Sequence, residues 1–283
     1  MINFTIFTPT YNRADTLERC YRSILLQKRI DIEWLIIDDA STDNTKFLVE
    51  KFMAEGKIRI VYIYQNNAGK QVAWSVAIQK ANGQYFIGLD SDDALYEDVL
   101  SVLFPKINEI NADSSIVGLR CLSQKVPKGS NRIKDFSSGH DSIHYWYDEF
   151  ASGISQERID ILKTKIIKEY PYPVQDGVKF IPEVWFYSTI SKKYKFYYVN
   201  KVVRVFYDDL STNRLSRSSF KKHFKGHLIA RKAMLHNIPI IYFLKNPIGL
   251  FKTITRYLQA CICNFFIINN NLSNMFVTKI NML

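Results

Sequence analysis

The sequence has few cysteines, and their positions do not indicate a structural site. Its four cysteines, Cys20, Cys121, Cys261 and Cys263, show neither the paired spacing of a zinc site nor the framework of a disulfide-rich domain. The N-terminus also lacks the basic start and the long apolar stretch of a signal peptide. We therefore expect a protein of the reducing cytoplasm.

Long apolar runs are also absent. The apolar stretches near the C-terminus, at 238–244, 248–251 and 260–268, are interrupted by Lys, Arg, Asn or Pro. A spanning helix needs roughly 20 consecutive apolar residues. The sequence thus predicts no membrane crossing, although it allows a segment that lies on a membrane surface.

Acidic residues are scarce in the last hundred positions. Residues 184–283 contain 16 Lys and Arg but only Asp208 and Asp209, whereas residues 1–183 contain 22 basic and 25 acidic side chains. A basic lobe favours an anionic partner, which could be nucleic acid, an acidic membrane or a phosphorylated substrate. The interleaved apolar stretches favour peripheral membrane contact, with ordinary amphipathic helices packed on the domain as the alternative.

A glycine-rich phosphate-binding loop is missing as well. Gln71 follows Gly69-Lys70 where a Walker loop needs Ser or Thr, and Tyr64 stands where its first glycine would be. The N-terminal glycine-rich loop of sugar nucleotidyltransferases is also absent. Asn66 to Lys70 nevertheless precede a predicted helix, where free amides and a lysine favour a phosphate or nucleotide contact. The alternative is a solvated loop lysine.

What is present is an alternation of strand and helix patterns over the first 110 residues, which predicts an α/β fold with a mostly parallel sheet. The expected strands are 4–8, 34–37, 58–64 and 85–89. The pattern dissolves between Ser123 and Tyr147, where we expect an irregular loop. Apolar patterns return at 159–167, 180–190 and 196–207.

Polar clusters follow all four predicted strands. These clusters are Thr8 to Asn12, Asp38-Asp39, Asn66 to Lys70, and Asp90 to Asp93. Ligands of open parallel sheets bind outside the carboxyl ends of the strands. We therefore expect one crevice to collect the four clusters. Since Thr42 and Asp43 are well placed to cap the second helix, one carboxylate of Asp38-Asp39 remains to accept a hydrogen bond from a base.

Asp90-Ser91-Asp92-Asp93 places three carboxylates within four residues. Two carboxylates held about 4 Å apart repel by roughly 4 kcal/mol at an effective dielectric constant near 20. A hard divalent cation such as Mg²⁺ or Mn²⁺ would offset that repulsion and could bridge to a phosphate ester. The alternative is a solvated turn that caps the next helix.

These motifs, in this order, resemble those of family 2 glycosyltransferases: Thr8-Pro9-Thr10-Tyr11-Asn12-Arg13, Asp38 to Thr45, Asn67 to Lys70, and Leu89 to Asp93. The resemblance is strong over residues 1–110 and weaker over 159–207. It implies a GT-A fold, a Rossmann-like sheet flanked by helices, and an inverting, metal-dependent transferase that uses a nucleotide-diphosphate sugar.

By matching position, the resemblance also implies roles for individual residues. Thr8, Tyr11 and Asp39 would contact the nucleoside, with Tyr11 against the base. Lys70 would contact the base or the phosphates. Asp90 would bind the ribose or the metal, and Asp92 the metal, which is Mn²⁺ or Mg²⁺; Asp93 is a weaker candidate ligand.

An inverting transferase also needs a general base on the acceptor side. The segment Lys179 to Trp185 resembles the family's base segment and makes Glu183 the candidate base, although Val184 replaces the second acid of the usual pair. Asp176 and Glu157 are the substitutes. A purely structural pairing of Glu183 with Lys179 or Arg204 is the alternative. Trp185 could stack on an acceptor sugar.

The predicted organisation is a glycosyltransferase domain at 1–210 and a basic, partly apolar helical extension at 211–283. Residues 1–110 would bind the donor and 111–210 the acceptor. The expected reaction transfers a sugar, from a UDP-sugar in first place, to a glycan or lipid-linked saccharide in surface-polysaccharide assembly. It would take place in the cytoplasm or at the inner face of the membrane, without nucleic acid. The competing hypotheses are a non-catalytic basic module that binds nucleic acid or membrane, and phosphoryl transfer by an aspartate nucleophile.

Overall fold

The computed structural model describes residues 3–28, 31–126, 139–154, 156–175, 177–207 and 219–280, with side chains through Phe266. Within these ranges strands and helices alternate over the first 110 residues, as the sequence predicts. The helices there are α1 (Ala14–Leu25), α2 (Thr45–Glu55), α3 (Lys70–Lys80) and α4 (Val99–Asn111). The strands are β1 (Phe4–Thr10), β2 (Ile32–Asp38), β3 (Arg59–Tyr64), β4 (Tyr85–Gly88) and the short β5 (Ala94–Leu95).

The second half of the domain adds four strands and three short helices. The strands are β6 (Ile116–Val126), β7 (Ser142–His144), β8 (Arg158–Lys163) and β9 (Lys195–Tyr207). The helices are α5 (Trp146–Ser152), α6 (Thr164–Ile167) and α7 (Val184–Ile190). The predicted irregular loop from Ser123 to Tyr147 was partly wrong, because β6 extends to Val126 and β7 and α5 occupy part of the remainder; positions 127–138 lie outside the described residues.

All nine strands form one mixed sheet. Its order is β3-β2-β1-β4-β8-β6-β9-β5, with β7 on β9. β1 to β4 pair in parallel. β8 lies antiparallel between β4 and β6, while β6 and β9 are parallel to each other. The parallel half therefore aligns the carboxyl ends of β1, β2, β3 and β4 along one edge, where the four polar clusters follow.

Two apolar layers cover the two faces of this sheet. Alternation along β1 sends Phe4 and Ile6 into one layer, with α1, α2 and α4, and sends Phe7 into the other, with α3 and α7. The first layer contains Trp34 stacked on Tyr21 at 5.6 Å between ring centroids. β1 and β2 are buried on both faces, as expected for central parallel strands, although the buried positions of β1 include Thr5, Thr8 and Thr10.

The C-terminal region is helical, as expected, and consists of α8 (Phe220–Asn237), α9 (Ile240–Lys245) and α10 (Pro247–Ile280). α8 packs against α7 and against α10. At Gly226 a Cβ atom would lie 1.7 Å from the carbonyl oxygen of Phe180, so only glycine allows α8 to approach the segment before α7. Among the described residues, no helix is both long enough and apolar enough to span a bilayer.

Candidate active site

The loops after β1 and β2 are joined by hydrogen bonds. Asn12, whose φ is +50°, accepts the Thr42 amide on Oδ1 at 2.8 Å, and its own amide donates to Ser41 Oγ at 2.9 Å. Asp43 accepts the Ala14 amide at 3.1 Å. The two loops are therefore fixed to each other at the carboxyl edge of the sheet, where Tyr11 is about half exposed.

Asp38 and Asp39 are both buried at the end of β2. Asp38 accepts hydrogen bonds from the Ser41 amide and from the Tyr62 hydroxyl, each at 2.7 Å. The carboxylate of Asp39 accepts three, from the Gln65 side chain and from the amides at positions 68 and 69, at 2.7–2.9 Å. The expectation that one of these carboxylates has no other partner was wrong, because Asp39 holds the loop that precedes α3; its contact with a nucleoside remains a prediction.

Thr8 does not place its side chain in the crevice. It is fully buried, and its hydroxyl accepts the Trp34 indole N–H at 2.9 Å. Strand alternation explains this position, since Thr8 lies on the same face of β1 as Phe4 and Ile6. The buried side chain leaves the backbone of Thr8 for the predicted contact with a nucleoside, which stays a prediction.

Asp90, Asp92 and Asp93 lie together after β4. One carboxylate oxygen from each can be chosen so that the three lie within 4.8 Å of one another. Asp90 and Asp92 are partly exposed, whereas Asp93 is fully buried. Burial opposes ionisation of Asp90, but the neighbouring Lys70 outweighs it and holds the pKa of Asp90 below its usual value.

Three carboxylates at this spacing form an oxygen-only donor set, which fits Mg²⁺ or Mn²⁺. Both carboxylate oxygens of Asp93 are buried and accept no well-aligned hydrogen bond, although Oδ2 forms an ion pair with Arg204 at 3.1 Å. The residues present thus fit a divalent cation, held by Asp90 and Asp92 with Asp93 behind them.

Arg204 on β9 is the cation that faces Asp93. Its Nη1 lies 3.1 Å from Asp93 Oδ2, and both side chains are buried. Arg204 also donates to Ser123 Oγ at 2.9 Å and to Glu157 at 3.2 Å. Burial raises the pKa of Asp93 to about 7, against the opposing effect of Arg204 and with a further contribution from Asp90.

Lys70 lies between the acidic cluster of Asp90, Asp92 and Asp93 and the candidate base Glu183. Its Nζ lies 2.8 Å from Asp90 Oδ1 and 3.4 Å from Glu183 Oε1. Burial alone would lower the pKa of Lys70, but Asp90 and Glu183 raise it well above its usual value, so the lysine is cationic. Lys70 therefore draws the carboxylate of Glu183 toward Asp90.

The segment before α7 is fixed against the loop before α3. Lys179 donates to Asn67 Oδ1 at 2.7 Å. Gly69 has a φ of +96°, and a Cβ atom there would lie 1.9 Å from the Lys179 carbonyl oxygen. This close approach explains how Glu183, far away in sequence, comes to the crevice.

The other acceptor-side candidates differ in position. Trp185 is partly buried, with its ring 4.9 Å from that of Tyr172. Glu157 is engaged by Arg204, and Asp176 lies outside the described residues. The alternative was a structural pairing of Glu183 with Lys179 or Arg204, whereas among the described residues Glu183 forms its ion pair with Lys70.

Comparison with known proteins identifies the family. The family model "Glycosyl transferase family 2" matches residues 5–169, more than half of the chain. The chain belongs to glycosyltransferase family 2. The family expected from the motifs is thereby confirmed.

Individual family members extend this result. A putative teichuronic acid biosynthesis glycosyltransferase of Bacillus subtilis, TuaG, is 32% identical over 121 residues, which are 42% of this chain and 48% of TuaG. The chain spans 16% to 48% of the length of three curated relatives that it matches.

Solved structures show the fold. TarS of Staphylococcus aureus in complex with UDP-GlcNAc superposes with a TM-score of 0.69 at 17% identity, over 91% of this chain and 73% of that one. The mannosyltransferase PcManGT of Pyrobaculum calidifontis, in complex with GDP-Man and Mn²⁺, gives 0.61 at 15% identity, over 99% and 80%. The predicted GT-A fold is confirmed.

The role of Arg204 was not predicted from the sequence. Arg204 was expected only as an alternative partner of Glu183, whereas in the structure it pairs with Asp93 and Glu157. A lone arginine within the apolar pattern of 196–207 was the available signal, since a buried charge needs a partner. The partner itself depends on the pairing of β9 with β5 and β6, which no local pattern indicates.

Proposed function

We propose that this protein is an inverting glycosyltransferase that moves a sugar from a nucleotide-diphosphate sugar, a UDP-sugar in first place, to a saccharide hydroxyl. The observation that carries the proposal is the position of Lys70 between Asp90 and Glu183. That contact places the candidate metal motif and the candidate base in one crevice. Independent surface acids would have no reason to meet in this way.

On the donor side, we assign Tyr11 to the base and Asp39 to the nucleoside. Tyr11 exposes about half of its side chain, 46%, at the end of β1, which leaves its ring accessible for stacking. Asp39 accepts hydrogen bonds from the backbone of the loop before α3 and so fixes the loop against which a nucleoside would lie.

Asp90 and Asp92 would hold Mg²⁺ or Mn²⁺, which would supply positive charge to the diphosphate as it leaves. Lys70 would contact the phosphates as a second cation. The ammonium group of Lys70 donates a hydrogen bond to Asp90, so it is already in position before a donor binds. Charges that are preorganised in this way stabilise a transition state without the cost of reorientation during the reaction.

On the acceptor side, Glu183 is the general base. More than half of its side chain, 57%, is exposed, so an incoming hydroxyl could reach the carboxylate. Glu183 would take the proton of that hydroxyl while the oxygen bonds to the anomeric carbon and the bond to the diphosphate breaks, which inverts the centre. Val184 begins α7, and this position leaves Glu183 at the mouth of the crevice; Trp185 would line the acceptor side.

We further propose a glycan or lipid-linked saccharide of surface-polymer assembly as the acceptor, used at the cytoplasmic face of a membrane. Two relatives support this class by name, one of teichuronic acid biosynthesis and one a poly(ribitol-phosphate) β-N-acetylglucosaminyltransferase. A nucleic-acid partner has less support, since Asp90, Asp92 and Asp93 would repel a phosphate backbone.

The test is release of nucleotide from UDP-, GDP- and TDP-sugars, with and without a mixture of saccharide acceptors, in Mn²⁺, Mg²⁺ or EDTA. Asp92→Asn is the site variant, and Asp15→Asn, at an exposed acid of α1, is its control. We expect metal-dependent release from one donor, lost only in Asp92→Asn. If no nucleotide sugar binds under any condition, the proposal fails and the binding-module hypothesis replaces it.

Glu183→Gln tests the base. We expect turnover to fall by roughly 10²-fold or more with nearly unchanged donor affinity, because the amide cannot take the proton but keeps the shape. Glu109→Gln, at an exposed glutamate of α4, is the matched control. Undiminished turnover in Glu183→Gln would remove this residue from the mechanism.

A further inference from the structure

An apolar surface runs along the outside of the last helix. Seven large apolar side chains of α10 are exposed, and we call them the α10 face: Ile248, Phe251, Ile254, Leu258, Ile262, Phe265 and Phe266. α9, directly before it, exposes Ile240, Ile241 and Leu244. Single exposed apolar residues are common on soluble proteins, but a contiguous set on one helix indicates a surface that binds something.

The α10 face is a true helix face. At about 100° per residue its members fall within an arc of roughly 120°. The buried positions Thr253 and Ala260 lie on the opposite side of the helix, where α10 packs against α8. α10 thus buries the small side chains of Thr253 and Ala260, with Leu250 also packed on the core, and leaves the seven large apolar side chains of the α10 face outside.

The charged residues of the C-terminal helices are of one sign. Residues 219–266 contain eight Lys and Arg and no Asp or Glu. Lys252 stands beside the apolar arc, whereas Arg256 lies nearer the side that packs on α8, with its guanidinium 5.0 Å from the centre of the Phe220 ring. An apolar strip with a lysine at its edge, in helices whose charged residues are all cations, fits an interfacial helix on an anionic membrane. Among the described residues, no helix is long and apolar enough to span a bilayer.

We propose that the α10 face binds the surface of a bilayer that contains anionic phospholipid, with the helix axis in the membrane plane. The proposal rests on the proposed function in one respect, because a lipid-linked acceptor would be presented at a membrane surface. The exposed apolar surface itself is an observation on α9 and α10 that does not depend on that function. The apolar side chains would enter the region between head groups and acyl chains, while Lys252 contacts lipid phosphates.

Flotation of the full chain with vesicles of phosphatidylcholine, alone or mixed with phosphatidylglycerol, tests this surface. Phe251→Asp removes an apolar contact from the centre of the face, and Phe47→Asp on α2 is a matched control because both rings are 70% exposed. Lys252→Glu tests the charge, with Lys51→Glu on α2 as its control.

We expect the wild-type chain to float with the mixed vesicles. Phe251→Asp should weaken this binding by about tenfold or more, and Lys252→Glu by about fivefold or more. The two α2 variants should bind like the wild type. UDP binding measured on the same samples should be unchanged in all variants, so a failed donor site and a failed membrane surface give different results.

Two results would overturn the proposal. One is that the wild-type chain stays with the unbound fraction for both vesicle types at low salt. The other is that Phe251→Asp abolishes a concentration-dependent self-association seen without vesicles by sedimentation velocity, which would make a second copy of this chain the occupant of the face.

Discussion

Removing the guanidinium of Arg204 should destabilise the domain and disturb the acidic motif. In Arg204→Gln, Asp93 remains fully buried but loses the cation 3.1 Å away. The variant also loses the hydrogen bonds of Arg204 to Ser123 and to the Arg158 carbonyl oxygen. The perturbation therefore leaves a buried carboxyl group and two buried acceptors without their donor.

The size of the effect follows from burial. Breaking a buried ion pair by removing one partner costs about 3–5 kcal/mol. Asp93 can escape part of this cost by binding a proton, since burial has already raised its pKa to about 7. We therefore take the lower end, about 3 kcal/mol, which corresponds to roughly 6–12 °C in melting temperature for a domain of this size.

Urea unfolding at neutral pH measures this free energy. Arg22→Gln is the control, because Arg22 forms a shorter ion pair with Glu18, 2.6 Å, but both side chains are at least half exposed. Such a surface pair contributes about 0–1 kcal/mol. An Arg204→Gln variant as stable as Arg22→Gln would refute the reasoning, and recovery of stability in Arg204→Met with Asp93→Asn would support it.

Two further predictions concern the segments around the crevice. In thermal unfolding, Gly69→Ala should lower the free energy of unfolding by roughly 1–3 kcal/mol more than Gly56→Ala does. Both glycines have a positive φ, but of the two only Gly69 has a position where a Cβ atom would lie 1.9 Å from a carbonyl oxygen, that of Lys179. Equal losses in the two variants would show that the loop moves freely away from Lys179. Burial and the nearby Arg231 lower the pKa of His227 to about 4, so at this residue the unfolded state binds more protons between pH 4 and pH 6.5, and the contribution of His227 to stability should fall as the pH drops through that window. Asp93, whose pKa burial raises to about 7, acts in the opposite direction over the same range. The comparison is therefore with His227→Gln: between pH 7 and pH 5 in urea unfolding, the change in stability should be less favourable in the wild type than in this variant by about 1–2 kcal/mol, and equal changes in the two proteins would contradict the assignment.

The sequence predicted the parallel half of the fold well because its signals are local. Each of β1 to β4 is a short apolar run that ends in a polar cluster, and parallel pairing brings those ends to one edge. The same alternation rule also determines which side chains face the core, and applied to Thr8 it places that side chain in the core with Phe4 and Ile6.

The rest of the site could not be predicted because it depends on contacts between distant segments. Glu183 reaches Lys70 only because Gly69 packs against the Lys179 backbone. Arg204 reaches Asp93 only because β9 joins the sheet beside β5 and β6. Neither approach leaves a periodic pattern in the sequence, so each becomes visible only in the folded chain.

The central claim, a donor site built on the acidic motif, is tested most directly by calorimetric titration of UDP and of UDP-sugars into the wild-type chain and Asp92→Asn, with Mn²⁺ and with EDTA. The account predicts binding by the wild-type chain that requires the metal and is lost in Asp92→Asn, while Asp15→Asn binds normally. Equally tight binding in EDTA, or by Asp92→Asn, would contradict the assignment of this cluster as a metal and diphosphate site.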